Sequence, residues 1–187
     1  MTELRERLAK LPSFPKELST LDSETVPENP NSLFESWLNS AIEAGNRQPH
    51  AMTFVTNRAD GTPVGRTLII KDFDENGYQF STHRSSRKGQ ELQENPRASL
   101  VFFWRESGRQ VRVTGTASAL SDEASQLDWS GRPSYDGQPN PDWQHYTLVP
   151  DEFEFMQARE DRNHTRVEYN RDNVGQWAHH LVATPAG

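Results

Sequence analysis

The sequence predicts a mainly β (α+β) domain of short antiparallel strands with a few flanking helices. About eight strand-like segments follow one another after residue 50, and turn sequences such as RADG, DENG and RESG separate several of them. Strands joined by such short turns pair as hairpins, which favours a barrel or a sandwich over a parallel α/β sheet. The length of 187 residues fits an N-terminal helix and irregular arm in residues 1–30 and one domain in residues 31–187.

Two helices are predicted before the strands. The first, ELRERLAKL, has one apolar side, and Thr2 can cap it. The second, NSLFESWLNSAIEA, carries a continuous apolar stripe at helical spacing, begins after Pro30 and ends at Gly45. Residues 12–30 contain four prolines and are predicted to form an irregular arm.

The remaining elements alternate between strands and short helices. The predicted strands are, in chain order, AMTFVTN, TPVGRTLIIK, YQFST, RASLVFFW, RQVRVTGTASAL, WQHYTLVP, DEFEFMQ, TRVEYN and QWAHHLV. Helix SRKGQELQEN, capped by Ser85 or Ser86, and helix SDEASQLDW, capped by Ser121, lie between them. The apolar run 68–70 suits a strand buried on both faces, such as one at a subunit interface.

Composition excludes several functional classes. The absence of cysteine excludes disulfides, thiol nucleophiles and thiolate metal sites, and the histidines show no metal-ligand spacing with carboxylates, so we expect no metal. No apolar run approaches the roughly 20 residues of a membrane span, and the charged N-terminus does not resemble a signal peptide. A net charge of −7 disfavours nucleic acid and anionic membranes as partners. We therefore expect a cytoplasmic protein.

The positive charge is concentrated in one part of the chain. Between Arg58 and Arg112, ten Lys or Arg stand against seven Asp or Glu, a net charge of +3, which leaves −10 for the rest. The sequence SSRKG within this region places hydroxyls and two cations at a predicted helix N-terminus, where the helix dipole and free amides favour an anion. On the pentapeptide alone, the alternative of a capped surface helix with solvated charges is preferable. Arg66 and Lys71 on the preceding strand strengthen the anion site.

A second basic motif is DRNHTR. Arg162, His164 and Arg166 alternate, so in an extended segment their side chains project to one side and form a second anion-binding row. Two flanking arginines also lower the affinity of His164 for protons. The alternative is an exposed charged loop, and the residues by themselves leave both interpretations open.

Two segments of the chain together resemble a known family. RTLIIKDFDENGYQFSTHRSSRKGQELQENPRASLVFFWRESGRQVRVTG resembles the core of the pyridoxamine 5'-phosphate oxidases, and FEFMQAREDRNHTRVEYNR resembles their closing motif. The resemblance extends from about residue 33 to residue 181, with one interruption. It implies an FMN-binding split β-barrel that forms a homodimer with FMN at the subunit interface.

The resemblance also implies the roles of individual residues. Residues with an implied contact to FMN are Arg66, Thr67, Leu68, Ile69, Ile70, Lys71, Ser81, Thr82, Arg87, Lys88, Gln110, Met156 and Arg166. Lys71 and Arg132 are implied to bind a substrate phosphate, and Arg162 and His164 to lie over the substrate and act in catalysis. The implied reaction is oxidation of a C–N or C–O centre of a small phosphorylated or aromatic substrate, with reoxidation by oxygen.

Three departures from the family pattern keep alternatives open. Thirteen residues separate Arg132 from Tyr146, where the family has a long helical block that ends in a Gln-Ser pair. Met156 replaces a Trp beside the flavin, and Asp128 replaces a Tyr that helps to hold the substrate phosphate. The chain is thus identified as a shortened member. One candidate function is oxidation of pyridoxamine or pyridoxine 5'-phosphate. The alternatives are oxidation of another substrate, such as a phenazine precursor, and flavin binding without oxidase activity.

Overall fold

The computed structural model describes residues 2–12, 14–15 and 17–183. Its helices are α1 (Glu3–Ala9), α2 (Pro30–Glu43), α3 (Arg87–Glu94) and α4 (Asp122–Ser130). Its strands are β1 (Ala51–Asn57), β2 (Pro63–Ile69), β3 (Asp72–Asp74), β4 (Gly77–His83), β5 (Arg97–Trp104), β6 (Arg109–Ala119), β7 (Trp143–Gln157), β8 (Thr165–Arg171) and β9 (Trp177–Leu181). The predicted class, a mainly antiparallel β domain with flanking helices, is confirmed.

The nine strands form one antiparallel sheet in the order β2-β1-β5-β6-β7-β4-β3, and β8 and β9 extend from β7. Strand β7 organises this arrangement because it has 15 residues and pairs with three others. It runs along β6 on one side, while on the other its first part pairs with β4 and its last part with β8. The sheet path ends at β2 and β3, so the strand pairing does not close into a full barrel.

The two strands predicted as WQHYTLVP and DEFEFMQ are one strand, β7. The register against β6 shifts between Thr114 and Gly115, so that Asp151 is an extra residue in β7. A Cβ at Gly115 would lie 2.2 Å from the Val149 carbonyl oxygen, so only glycine permits this close approach. A bulge of this kind bends a strand without ending it, and it also accommodates Pro150.

Helix α2 supplies the centre of the core. Asn29 caps it by accepting a hydrogen bond of 3.0 Å from the Asn31 N–H, and Pro30 occupies its first turn. Phe34 is fully buried and packs edge-on against Tyr78 with ring centroids 5.0 Å apart. The Tyr78 hydroxyl donates to Asn31 at 2.9 Å, so the same helix also satisfies this buried polar group. The predicted apolar stripe of this helix is therefore its core-facing side.

Several local expectations are corrected by the structure. Thr2 precedes α1, but its side chain makes no capping hydrogen bond. Strand β3 was not predicted, because three residues are too few for a periodic signal. Within one chain the run 68–70 is not buried on both faces, because Ile69 on the edge strand β2 is 38% exposed whereas Ile70, just after β2, is 5% exposed; burial of this run at a subunit interface stays a prediction. The two faces differ because alternate side chains of a strand point in opposite directions.

The N-terminal arm lies against the domain. The Tyr169 hydroxyl donates to the Pro27 carbonyl oxygen at 2.8 Å, and Leu21 and Val26 pack against the hydrophobic core. The Phe14 ring packs edge-on against Phe103, with centroids 6.2 Å apart. None of the helices in the described part of the chain combines the length and apolar character that a membrane crossing requires.

Candidate functional site

The first group of candidate residues surrounds the start of α3. We call Thr56, Arg66, Lys88 and Glu91 the α3 cluster. Arg66 donates to the Glu91 carboxylate at 2.7 Å and also contacts the Thr56 hydroxyl, which itself donates to Glu91. Thr56 and Glu91 are buried, whereas Arg66 and Lys88 are half-buried. The cluster thus brings together two cations that lie 22 residues apart in sequence, around one buried carboxylate.

Electrostatics in the α3 cluster favour negative charge. Burial opposes ionisation of Glu91, but hydrogen bonds from Thr56 and Arg66 outweigh it and lower the pKa of Glu91. Burial lowers the pKa of Lys88, and the positive charge of Arg66 adds to this effect. Two cations close enough to disfavour each other attract an external anion, because an anion relieves their repulsion.

The N-terminus of α3 completes this region. Ser86, rather than Ser85, caps the helix by accepting a hydrogen bond of 3.2 Å from the Gly89 N–H. The Thr82 hydroxyl lies 3.2 Å from the Ser86 hydroxyl. Arg87, the first residue of the helix, is exposed. A Cβ at Gly89 would lie 2.4 Å from the Arg84 carbonyl oxygen, so glycine allows the helix to approach the preceding turn.

Ser81 and Thr82, which the sequence assigns to one site, lie on opposite faces of β4. Thr82 faces α3, whereas Ser81 faces α4 and lies with Lys71, Asp128, Trp143 and His145; we call these five residues the α4 cluster. Asp128 accepts hydrogen bonds of 2.8 Å from the Ser81 hydroxyl and 2.8 Å from the Trp143 indole. Its other oxygen lies 3.2 Å from the Lys71 ammonium.

The α4 cluster holds Asp128 ionised and His145 neutral. Burial opposes ionisation of Asp128, but hydrogen bonds from Trp143 and Ser81, with the charge of Lys71, lower its pKa. Burial lowers the pKa of His145, with Asp128 opposing this effect and Lys71 adding to it. His145 Nδ1 lies 2.7 Å from the Ser81 oxygen. His145 Nε2 lies 2.9 Å from the Gln79 side-chain oxygen, which is also an acceptor, so the contact with Ser81 does not by itself set the tautomer of the ring.

Arg132, the predicted substrate-phosphate residue, lies just after α4 beside two indoles that also contact each other, with ring centroids 5.4 Å apart. Its guanidinium carbon is 4.3 Å from the centre of the Trp143 ring and 5.5 Å from that of Trp129. Its Nε atom is buried and has no hydrogen-bond partner among the described residues. Cation–π contacts of this kind hold the guanidinium against the rings without using its N–H groups. Trp143 contacts both Arg132 and Asp128, so it joins Arg132 to the α4 cluster.

Gln110, Met156 and Arg166 form a row across β6, β7 and β8. Gln110 is paired with Met156, and Met156 with Arg166, so their side chains share one face of the sheet. Met156 is buried, while Gln110 and Arg166 are half-buried. Arg166 lies 3.8 Å from the Glu154 carboxylate. Strand pairing thus brings together three residues, although the first and the last of them are 56 positions apart in the sequence.

The expected extended row of Arg162, His164 and Arg166 is wrong for Arg162. Residues 160–162 form a turn, in which the Asp161 carboxylate accepts a hydrogen bond of 3.0 Å from the Asn163 N–H. Arg162 adopts the left-handed conformation, with φ of +61°, and β8 begins only at Thr165. A turn breaks the two-residue alternation, so Arg162 need not project with the other two side chains.

His164 has a defined neutral form. Its Nδ1 atom accepts a hydrogen bond of 3.1 Å from the Arg159 N–H, so the neutral ring carries its proton on Nε2. Burial lowers the pKa of His164, and the neighbouring Arg166 and Arg162 lower it further while Asp161 opposes them. The predicted effect of flanking arginines is confirmed in direction, although burial is the larger cause. The Phe14 ring of the N-terminal arm packs edge-on against His164, with centroids 5.7 Å apart.

The structure also adds residues that the sequence did not indicate. Glu91 and Thr56 complete the α3 cluster, and His145 and Trp143 complete the α4 cluster. Glu91 falls one helical turn after Lys88, which offered a weak signal. His145 gave none, because its place opposite Ser81 depends on the pairing of β4 with β7. The predicted cofactor residues Thr67, Leu68 and Ile69 lie on the edge strand β2, and Ile70 follows it.

Comparison with known proteins identifies the family. The family model described as "Pyridoxamine 5'-phosphate oxidase" matches residues 38–157. The chain belongs to the pyridoxamine 5'-phosphate oxidase family. A second model, "Pyridoxine 5'-phosphate oxidase C-terminal dimerisation region", matches residues 143–184, which include β7, β8 and β9.

Relatives named pyridoxine/pyridoxamine 5'-phosphate oxidase align with nearly the whole chain. One from Trichormus variabilis is 34% identical in an alignment that covers 89% of this chain and 94% of the relative. Another from Paraburkholderia phymatum is 36% identical in an alignment that covers 86% of this chain and 91% of the relative. The resemblance seen in the sequence is therefore confirmed.

Solved structures agree with this family assignment. PhzG from Burkholderia lata, in complex with tetrahydrophenazine-1-carboxylic acid, superposes with a TM-score of 0.81 at 29% identity, over 88% of this chain and 98% of PhzG. A pyridoxamine 5'-phosphate oxidase-related, FMN binding protein from Nostoc punctiforme has a TM-score of 0.69 at 18% identity, over 81% and 97%. The second similarity shows the fold, which is that of this family's split barrels.

Proposed function

We propose that this protein is an FMN-dependent oxidase that works as a homodimer. The observation that carries the proposal is the α3 cluster, which gathers Arg66 and Lys88 beside a capped helix N-terminus. Membership of a family whose relatives are named oxidases supports the reaction type. The C-terminal match to a dimerisation region supports the homodimer.

The α3 cluster fits the phosphate of FMN by charge and by donor type. Arg66 and Lys88 of the cluster and Arg87 beside them contribute three positive charges, and Glu91 removes one, so these four residues carry a net charge of +2, to which Arg58 near Glu91 adds a further positive charge. A phosphate monoester carries close to two negative charges at pH 7. The Ser86 hydroxyl donates to the His83 carbonyl oxygen at 2.7 Å and lies 3.2 Å from the Thr82 hydroxyl, so the two hydroxyls donate to a phosphate only after they rotate, whereas the dipole of α3 is in place. A dianion would therefore be neutralised here without burying an unpaired charge.

The row of Gln110, Met156 and Arg166 fits the flavin ring. An apolar side chain between an amide and a guanidinium suits a flat heteroaromatic ring with polar edges, because each part then has a matching partner. In this proposal, residues 67–71 line the flavin from β2 and the two residues after it, Thr82 completes the phosphate side, and Ser81 reaches the site from the opposite face of β4, as part of the α4 cluster. FMN, when bound, supplies the two-electron acceptor and passes the electrons to oxygen.

The protein's own part in the reaction is to bind and orient the substrate. His164, neutral and protonated on Nε2, donates a hydrogen bond to the oxygen of an alcohol substrate, whereas an amine substrate keeps its lone pair free to form the C=N bond. Arg162 supplies a fixed positive charge nearby, and Lys71 with Arg132 hold the far end of the substrate. The proton leaving the substrate passes to solvent. Under this proposal Arg162 and His164 are the catalytic residues.

A second candidate function is FMN-dependent oxidation of a substrate other than pyridoxine or pyridoxamine 5'-phosphate. Two observations favour it: the similarity to PhzG, which was solved with a phenazine carboxylic acid, and the ion pair of Asp128 with Lys71. Flavin binding without oxidase activity is the remaining possibility, and it differs from both oxidase proposals in having no substrate that reduces the flavin.

One experiment tests these proposals together. The protein is reconstituted with FMN, and its visible spectrum is followed under anaerobic conditions after addition of pyridoxine 5'-phosphate or a dihydrophenazine carboxylate. Loss of the flavin absorbance with either substrate, and its return on admission of air, is the expected result. Failure to bind FMN contradicts the cofactor assignment. Bound flavin that stays oxidised with both substrates contradicts the oxidase function.

A further inference from the structure

Asp128 occupies the centre of the α4 cluster as a built-in anion. It accepts hydrogen bonds from Ser81 and Trp143 at 2.8 Å each, and Lys71 lies 3.2 Å from its other oxygen. An ammonium, a hydroxyl and an indole N–H are the donors that would hold one end of an external anion. Here the protein's own carboxylate uses them.

We propose that Asp128 is a specificity-determining residue that excludes phosphate esters and selects an aromatic substrate with a single carboxylate. This inference rests on the proposed function, because it names the substrate class of the same site. It differs from the family resemblance, which implies that Lys71 and Arg132 bind a phosphate together.

The charges of the site support a monoanion. Lys71 and Arg132 contribute two positive charges and Asp128 one negative charge, which leaves +1. A phosphate ester near pH 7 carries up to two negative charges. To reach Lys71, it would have to approach an ionised carboxylate or displace it into solvent. Both cost free energy, because like charges repel strongly where water is partly excluded.

Because Lys71 is paired with Asp128, Arg132 is the cation that remains available to bind the substrate. Within the described residues its guanidinium makes no hydrogen bond or ion pair, and its buried Nε is unpartnered. Because Nε is buried, the two terminal nitrogens of the guanidinium are the donors that can take a carboxylate bidentately, while Trp129 and Trp143 hold the group by cation–π contact. Trp143 is buried, but the half-buried indole of Trp129 favours a flat aromatic body on the substrate. The two features together indicate an aromatic carboxylate.

Calorimetric titration of the wild-type FMN-reconstituted protein gives the first test. The probes are pyridoxine 5'-phosphate against pyridoxine, and phenazine-1-carboxylate against phenazine-1-carboxamide. We expect the affinities of pyridoxine 5'-phosphate and pyridoxine to differ by less than about threefold. We expect phenazine-1-carboxylate to bind at least about tenfold more tightly than phenazine-1-carboxamide. A phosphate ester that binds tenfold or more tightly than pyridoxine would overturn the proposal. So would equal affinity for the carboxylate and the carboxamide.

Two variants of α4 give the second test. Asp128→Asn removes the charge with little change of shape, and we expect it to tighten binding of pyridoxine 5'-phosphate by at least about tenfold. Asp122→Asn is the matched control, because Asp122 lies on the same helix but is exposed and paired with Arg84; it should leave all affinities unchanged. No tightening in folded Asp128→Asn protein would refute the role of Asp128. If Asp128→Asn does not fold, the comparison of the two pairs of probes on the wild-type protein tests the proposal instead.

A third variant separates this inference from the proposed function. Arg132→Gln should weaken the binding of phenazine-1-carboxylate by about tenfold and leave the affinity for phenazine-1-carboxamide unchanged. An equal loss of affinity for both compounds would contradict the role of Arg132. Calorimetry detects binding whether or not the flavin is reduced. Selective carboxylate binding without flavin reduction would therefore contradict the oxidase function while supporting this inference. Flavin reduction by pyridoxine 5'-phosphate, together with binding of this ester at least about tenfold tighter than that of pyridoxine, would support the oxidase function and contradict this inference.

Discussion

The Arg66 guanidinium donates a hydrogen bond of 2.7 Å to the Glu91 carboxylate, and this contact joins the edge strand β2 to helix α3. Within the residues that the structure describes, strand β2 pairs with β1 alone, so no second strand holds its other edge. The Thr56 side chain on β1 touches both partners. One buried carboxylate therefore fixes the position of three elements around the proposed phosphate site.

Glu91→Ala should destabilise the protein by about 2–3 kcal/mol, because it leaves Arg66 and the buried Thr56 hydroxyl without their acceptor. Glu91→Gln keeps an acceptor for Thr56 and should cost about half as much. Urea unfolding followed by tryptophan fluorescence measures both. Equal stability of wild type and Glu91→Ala would show that solvent replaces this contact without cost.

Arg87→Ala should weaken FMN binding by about 1.5–3 kcal/mol, since a charge-assisted contact to phosphate is lost at an exposed helix start. Titration of the apoprotein with FMN, followed by quenching of flavin fluorescence, measures the affinity. Arg5→Ala on helix α1 removes the same charge from an exposed position elsewhere and serves as the control. Unchanged affinity in Arg87→Ala would show that the phosphate lies elsewhere.

Phe34→Ala should destabilise the protein by about 3–5 kcal/mol, because the ring is fully buried and its removal opens a cavity. Four aromatic rings contact it, those of Phe73, Tyr78, Phe102 and Trp104. Ile42→Ala on the same helix should cost less than about 1 kcal/mol, since Ile42 is 54% exposed. Denaturant midpoints of the two variants give the comparison, and similar losses would contradict the burial pattern of α2.

His145 should make stability depend on pH in the weakly acidic range. Burial lowers the pKa of His145 in the folded protein, with Asp128 opposing and Lys71 adding to the effect. The unfolded chain takes up a proton near pH 6.5 while the folded state resists it. The contribution of His145 is therefore present above that pH and is lost as the pH falls below it.

Urea midpoints at about pH 7.5 and about pH 5.5 measure this effect, which can reach about 1.4 kcal/mol for each unit that the pKa is lowered. His145→Gln should lose less stability between the two values than the wild type does. The loss should not vanish, because the pKa of His164 is also lowered. An identical loss in both proteins would mean that His145 is protonated freely in the folded state.

The sequence predicted the fold through local signals that proved to be sufficient. The turn tetrapeptides RADG and RESG gave the hairpins β1–β2 and β5–β6, and the apolar stripe of α2 gave the core-facing helix. Periodicity failed where the structure is irregular. The bulge at Asp151 was interpreted as a break between two strands, and the turn at Arg162 as part of an extended row.

The candidate site was predictable only in part, for a related reason. Helix-terminal charges such as Arg87 and Lys88 stand out locally, and the row of Gln110, Met156 and Arg166 was implied by family resemblance. No local signal separates Ser81 from Thr82, although strand alternation turns one to the α4 cluster and the other to α3. Whether Ser81 or Thr82 belongs to a given cluster depends on which helix packs on each face of β4.

The sequence by itself therefore determined the class of fold, the family and the presence of a basic cluster at the start of α3, because all three depend on patterns within short segments. The tertiary structure decided how the charges are paired. It placed Asp128 on Lys71, 57 residues away, and Glu91 on Arg66. An ion pair depends on distance in space, and the pairing of β4 with β7, with α4 packed over them, sets that distance.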